Sequence, residues 1–166
     1  ILRASGARWL FTVGEFLGMR YPAMLAAEDL PALEASVLFA GEGQGCQAWE
    51  DFLVAGDSVD AAVLQARVAA VQPGDTLDIL FTSGTTGKPK GVVTSHAQNI
   101  HAFDIWSTTV GLTDADNYMI INPFFHSFGY KAGWLAAIIR GCRILPVQQF
   151  DLDSVMACIE REKVSM

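Results

Sequence analysis

DILFTSGTTGKPKGVVTSH, from Asp78 to His96, constrains the fold more than any other stretch of this chain. An apolar run leads straight into glycines and hydroxyls, and Pro89 and Gly91 keep a helix from starting at once. The run LDILFT is therefore predicted as a strand that opens into a loop, and VVTS as a second extended segment before Ser95 caps a helix. The loop's composition suits phosphate. Gly84 and Gly87 let the backbone approach closely, Thr82, Ser83, Thr85 and Thr86 supply hydroxyls, and Lys90 supplies the opposing charge.

The flanking segments predict the sheet that holds such a loop. ARWLFTV (7–13) and ASVLFAG (35–41) read as buried strands separated by a helical segment, YPAMLAAEDLPAL (21–33), which is a parallel crossover pattern. GEGQGCQAWEDF (41–52) reads as surface loop. DSVDAAVLQARVAAV (57–71) reads as an amphipathic helix capped by Asp57 or Ser58, with Leu64, Val68 and Val71 on one face. Further along, AQNIHAFDIWSTTV is a helix, NYMIIN a strand, FGYKAGWLAAIIRG a helix ending at Gly141, CRILPV a strand and LDSVMACIEREKV a helix. The alternation predicts an α/β protein with a mostly parallel sheet and flanking helices. Residues 1–72 form the first strand-helix units of this scheme, and 73–166 carry the loop and the remaining elements.

At 166 residues, 51% hydrophobic and 17% charged, the chain can bury one sizeable core and not two. Its net charge of -7 and the lack of any basic stripe argue against nucleic acid as a partner. Cys46, Cys142 and Cys158 are widely spaced and odd in number. They fit a reducing cytoplasm better than a disulfide framework, and Cys142 and Cys158 read as small buried hydrophobes. No cluster of side chains has the spacing of a metal site. No apolar run reaches the roughly 20 residues of a transmembrane helix. The chain opens at Ile1 without an initiator Met or signal-like region and stops just after a helical pattern, as an excised internal fragment would.

Two nucleotide-binding patterns are absent. GxxxxGK(S/T) fails because only two residues separate Gly84 from Gly87 and Pro89 follows Lys88, and no GxG opens the loop. From Thr82 to Gly91 the chain instead resembles, without a departure, the (S/T)SGTTGxPKG signature of the adenylate-forming (AMP-binding) superfamily of acyl-CoA synthetases, luciferases and peptide-synthetase adenylation domains. The resemblance implies the large N-terminal domain of such an enzyme, with the loop and Lys90 gripping the triphosphate of ATP. Lys88 falls where the family varies and reads as solvated.

NPFFHSFGYKAGW, 122–134, resembles the family's aromatic block around a central histidine. It implies an acid pocket formed by Phe124, Phe125, His126, Phe128 and Gly129, with His126 orienting the carboxylate or swinging aside for CoA. Tyr130 and Lys131 read as helix surface or packing. His96 and His101 read as cap-proximal or surface histidines, and Trp106 and Trp134 as packing residues. INPFFHSFGYKAG looks most like actinobacterial fatty-acid or sterol-side-product ligases. The resemblance thus implies an ATP-dependent acid-CoA ligase with a carboxylic acid, ATP and CoA as substrates and Mg2+ held outside these residues. The alternatives are an amino-acid-activating adenylation domain and a non-catalytic nucleotide-binding module. The family's adenine, magnesium and catalytic-lysine segments do not occur in these residues, so the fragment alone is expected to be inactive. Its unpaired sheet edges predict self-association.

Overall fold

The computed structural model describes residues 1–83 and 87–166. The chain divides into two compact units, residues 1–71 with 81–91, and residues 72–80 with 92–166. The sequence predicts one sizeable core, and the buried apolar side chains of the first unit are few. Val37 and Leu38 are its buried hydrophobics, whereas Leu112, Tyr118, Ile120, Ala136 and Ala137 form a contiguous cluster in the second.

The first unit opens with a short helix, α1 (Leu2–Ser5), and strand β1 (Trp9–Thr12). A hairpin of β2 (Glu15–Phe16) and β3 (Met19–Arg20) follows, then α2 (Tyr21–Leu25), β4 (Ala35–Leu38), β5 (Gln47–Ala48), α3 (Trp49–Gly56) and α4 (Ala61–Ala70). β4 lies between β1 and β5 and is parallel to both. The crossover pattern in the sequence therefore holds, with three corrections.

The helix expected over 21–33 is confined to α2. The hairpin before it escapes the usual Asn-Gly or Asp-Gly signal, because its turn residues are Leu17 and Gly18, both at positive φ (50° and 78°). The expected surface loop at 41–52 contains β5 and the start of α3. There Trp49 and Phe52 stack on each other (5.6 Å between ring centroids) and pack on Phe11 and Phe39. The cap of α4 is Asp60, which accepts from Ala62 N at 2.7 Å, in place of Asp57 or Ser58. Leu64, Val68 and Val71 are exposed, so the face they form has no partner within its unit.

The second unit takes in most of β6 (Thr76–Thr82) and β7 (Lys90–Ser95), a hydrogen-bonded pair. It continues with α5 (His96–Thr109) and β8 (Asn117–Ile120). Beyond these lie a π-helical segment (Phe128–Leu135) that runs into α6 (Ala136–Arg140), then β9 (Arg143–Pro146) and α7 (Leu152–Glu162). β8 and β9 are parallel, so the fold is α/β with mostly parallel pairing. Ser95 caps α5 as predicted, in a reciprocal box with Gln98. Gly141 ends α6 in the left-handed region (φ 74°), also as predicted.

Trp106 and Trp134 pack on the core cluster. Cys142 packs there too, but all three cysteines are free and only half-buried, which corrects the buried reading of Cys142 and Cys158. Arg140 ties α6 to α5. It donates to the buried Ser107 hydroxyl (2.7 Å), to Asp104 Oδ1 (2.7 Å) and to Thr108 Oγ1 (2.6 Å). Among the described residues no helix is long and apolar enough to cross a membrane.

Asp116 knots the start of β8. It accepts from the Ser165 hydroxyl (2.7 Å) and from the Thr113 N–H (2.7 Å) and hydroxyl (2.8 Å). These bonds, Ser165's first, hold its carboxyl below the ordinary value. A depressed carboxyl stabilises the fold above its unfolded value, about 3.9, and that contribution is lost as pH falls through the folded value. Asp116→Asn should therefore lower the melting temperature at pH 7 and lose its effect near the acid limit. Melts across the acid range check this, and a deficit that stays constant with pH would contradict it.

Candidate functional site

The loop between β6 and β7 sits on two strand stems whose residue numbers run in opposite senses. Asp78 meets Thr94, and the Thr82 hydroxyl reaches the Lys90 carbonyl at 3.5 Å, the outer limit of a hydrogen bond. Thr82, Ser83, Lys88 and Lys90 are exposed. Gly87 has φ 80° with nothing within 4 Å of a would-be Cβ, so the backbone conformation, and not crowding, demands glycine there. Gly84, Thr85 and Thr86, also assigned to phosphate from the sequence, lie outside the described residues. Exposure does not separate Lys88 from Lys90.

At the base of the stems is a buried polar cluster. Lys131 Nζ donates to Asp78 Oδ1 (3.2 Å) and to Thr94 Oγ1 (2.9 Å), and the Lys131 and Asp78 side chains are only 10% and 12% exposed. The Thr94 hydroxyl donates to Asp78 Oδ1 (2.6 Å) and accepts from Asn99 Nδ2 (2.9 Å), which uses its one donor and both acceptor positions. Asn99 is itself buried. Asp78 Oδ2 is buried without a hydrogen-bond donor among the described residues. Tyr130, whose ring lies 5.8 Å from Lys131 Nζ, has its phenol pushed up by burial and then by the Asp78 charge. Of the two readings of Lys131, surface or packing, its burial leaves packing, as one partner of an ion pair. Its signal in the sequence was a lone cation inside the apolar run FGYKAGWLAAII, with no acidic residue near enough along the helix to pair with it.

The segment that carries Lys131 is packed tightly enough to need its glycines. A Cβ on Gly129 would overlap the carbonyl oxygens of Pro123 and Asn122, and one on Gly133 would lie 2.9 Å from Ile120 Cγ2. The buried Tyr118 hydroxyl donates to the Ala132 carbonyl (3.1 Å), fastening the π-helical segment to β8. Single π-helical stretches recur at functional sites, where the wider turn re-aims side chains.

His126 precedes this segment and is exposed. Its Nδ1 accepts from the Phe128 N–H at 3.1 Å, so in the neutral ring Nε2 carries the proton and is the donor. An apolar cleft of about 310 Å³ opens beside it, lined by Phe103, Trp106, His126, Ser127, Phe128 and Ala132. Phe128 meets Trp106 edge-on, centroids 6.1 Å apart.

The structure therefore brings together two of the five pocket residues expected from the sequence, His126 and Phe128. Phe124 and Phe125 are exposed and do not line the cleft, and Gly129 serves close packing instead of leaving room. Phe103 and Trp106 were missed because they come from α5, which follows the phosphate loop in sequence. His96 and His101 take no part in the cleft. A wider cleft of about 480 Å³ in the first unit, lined in part by Arg20, Glu42 and Gly43, brings no histidine or thiol to its wall.

The chain matches the family described as AMP-binding enzyme over residues 1–166. It is 43% identical over 166 residues to a 3-(7a-methyl-1,5-dioxo-octahydro-1H-inden-4-yl)propanoyl:CoA ligase of Mycobacterium tuberculosis, covering all of this chain and 32% of that protein. Its identity to the ligase of the same name from Rhodococcus jostii is 39% over 172 residues, covering all of this chain and 33% of the relative. The chain thus spans about a third of the length of these curated relatives. Among solved structures it superposes on the anthranilate CoA ligase AuaEII in complex with anthranoyl-AMP, with a TM-score of 0.77 at 25% identity over 99% of this chain and 31% of the other. It also superposes on the inhibitor-bound N-terminal domain of FACL13 from Mycobacterium tuberculosis, with a TM-score of 0.72 at 26% identity over 98% of this chain and 37% of that one.

Gly129→Ala should lower stability by about 1 to 3 kcal/mol, the usual cost of forcing an extra carbon into a filled site. Ala at Gly87 also costs stability, but through its positive φ alone. Thermal melts of the two variants check this. A Gly129 variant that melts with the parent would mean that the segment has room to shift.

Proposed function

Because this chain belongs to the AMP-binding enzyme family, we propose that the protein it comes from is an ATP-dependent acid-CoA ligase. In the first half-reaction a substrate carboxylate oxygen attacks the α-phosphorus of ATP, the bond to the β-phosphate breaks, and its electron pair leaves with pyrophosphate. In the second, the CoA sulfur attacks the acyl carbonyl and AMP departs. Mg2+ enters with ATP as its counterion, and this chain's residues are assigned no ligand to it.

The observation that carries the reading is the apolar, histidine-edged cleft, in a chain that also bears the glycine- and lysine-rich string Thr82–Gly91. Lys90 meets the β- or γ-phosphate charge, and the backbone around Gly87, with the hydroxyls of Thr82 through Thr86, cradles it. The cleft holds the organic part of the acid, and the Nε2–H of His126 is a donor for its carboxylate. The ring system named for the two bacterial relatives supports a polycyclic or other bulky carboxylic acid as the substrate class. The free thiols fit a cytoplasmic setting.

In the full-length protein, Lys90→Ala should slow pyrophosphate release by roughly 10²-fold, the scale of losing one preorganised donor to a developing charge. Lys88→Ala should do little. His126→Ala should weaken use of the acid while leaving ATP affinity intact. Single-turnover adenylation with a panel of carboxylic acids measures all three, and equal losses at Lys88 and Lys90 would reassign the loop.

The chain by itself should also self-associate. Its exposed large apolar side chains include Leu64, Val68, Val92, Val93 and Ile100, and the two-stranded β6–β7 and β8–β9 sheets leave edges unpaired. Sedimentation should show a weight-average mass that rises with concentration, and a clean monomer would refute it.

A further inference from the structure

We propose that Lys131 is a positioning residue for adenylation, holding the wall of the acid cleft in register with the strand stems that deliver the phosphate loop. The inference rests on the ligase reading above. Burying an ammonium carries a large desolvation penalty, and its attraction to one carboxylate seldom returns much more than that. A leucine or methionine would fill the same volume at no such cost, so bulk stability does not explain the residue. What an ion pair provides and a hydrocarbon does not is direction.

The direction is specific. Lys131 Nζ bridges Asp78 on β6 and Thr94 on β7, within hydrogen-bond distance of both. Asp78 lies four residues before Thr82, and Thr94 four residues after Lys90, so one ammonium grips the two stems at equal sequence separations from those positions. Lys131 is also three residues beyond Phe128 and one before Ala132, both lining the cleft. A shift of the π-helical segment would therefore break two bonds to the stems. Thr94 cannot compensate, since its hydroxyl is already saturated by Asp78, Asn99 and Lys131. The glycines at 129 and 133 let the segment sit close enough for the lysine to reach.

The test uses the full-length protein and two variants, Lys131→Met and the paired Asp78→Asn/Lys131→Met. Lys131→Met alone strands a buried carboxylate and should melt earlier. The paired variant removes both charges and should regain most of the melting temperature. Its adenylation, read as kcat/KM for the acid from pyrophosphate release, should stay about 10- to 100-fold down, the usual consequence of displacing reacting groups by an ångström or so. ATP affinity from equilibrium binding should be unchanged. Recovery of rate together with stability in the paired variant would overturn the proposal, because the cluster would then be structural only.

If the wild-type protein releases no pyrophosphate with any carboxylic acid, the ligase reading is what fails. Hydrogen exchange then decides the positioning claim. Faster exchange confined to 92–95 and 128–135 in the paired variant supports a register lock, and unchanged protection in both segments refutes it.

Discussion

An ammonium removed from water must find fixed partners, and in this chain that requirement falls on Lys131. Its partners come from three elements: Asp78 from β6, Thr94 from β7 and, through Thr94, Asn99 from α5. The cluster leaves little freedom, because the Thr94 hydroxyl is fully used and Asp78 Oδ1 accepts twice. Apolar packing tolerates sliding by fractions of an ångström, whereas these bonds have lengths and directions that do not. The position of the π-helical segment, and with it the aromatic edge of the cleft, follows from that set of bonds.

The same segment is fastened on its other side by different physics. Tyr118 donates to the Ala132 carbonyl from within the core, Ile120 fills the space that a side chain on Gly133 would need, and Gly129 lies against the 122–123 backbone. Arg140 then anchors α6 to α5 through Ser107, Asp104 and Thr108. Charged groups set register and close contacts set distance. The first unit is organised differently, by aromatic rings from β1, from Phe39 just after β4, and from α3 that pack edge-on and stacked while Trp9, Phe11 and Phe39 stay partly exposed.

By itself, the sequence determined what depends on neighbours along the chain. The strand before the loop, the Ser95 cap, the left-handed stop at Gly141 and the parallel pairs β1–β4 and β8–β9 were legible because apolar period, capping chemistry and glycine's backbone freedom are local signals. The Thr82–Gly91 string was legible for the same reason. Local signals failed where context outweighed them. Leu17-Gly18 turns a hairpin without the usual residues, and α3 begins in a segment whose glycines and acids read as loop because Trp49 and Phe52 have a distant ring partner, Phe11 on β1. Only the tertiary structure decided that Lys131 is interior, that Phe103 and Trp106 line a cleft beside His126 and Phe128, and that Gly129 is a packing glycine. Lys131 and the cleft turn on groups far apart along the chain, as Thr94 and Lys131 lie 16 and 53 positions from Asp78, and Gly129 turns on a fold-back of the chain onto residues 122 and 123; no periodicity along one segment encodes such meetings.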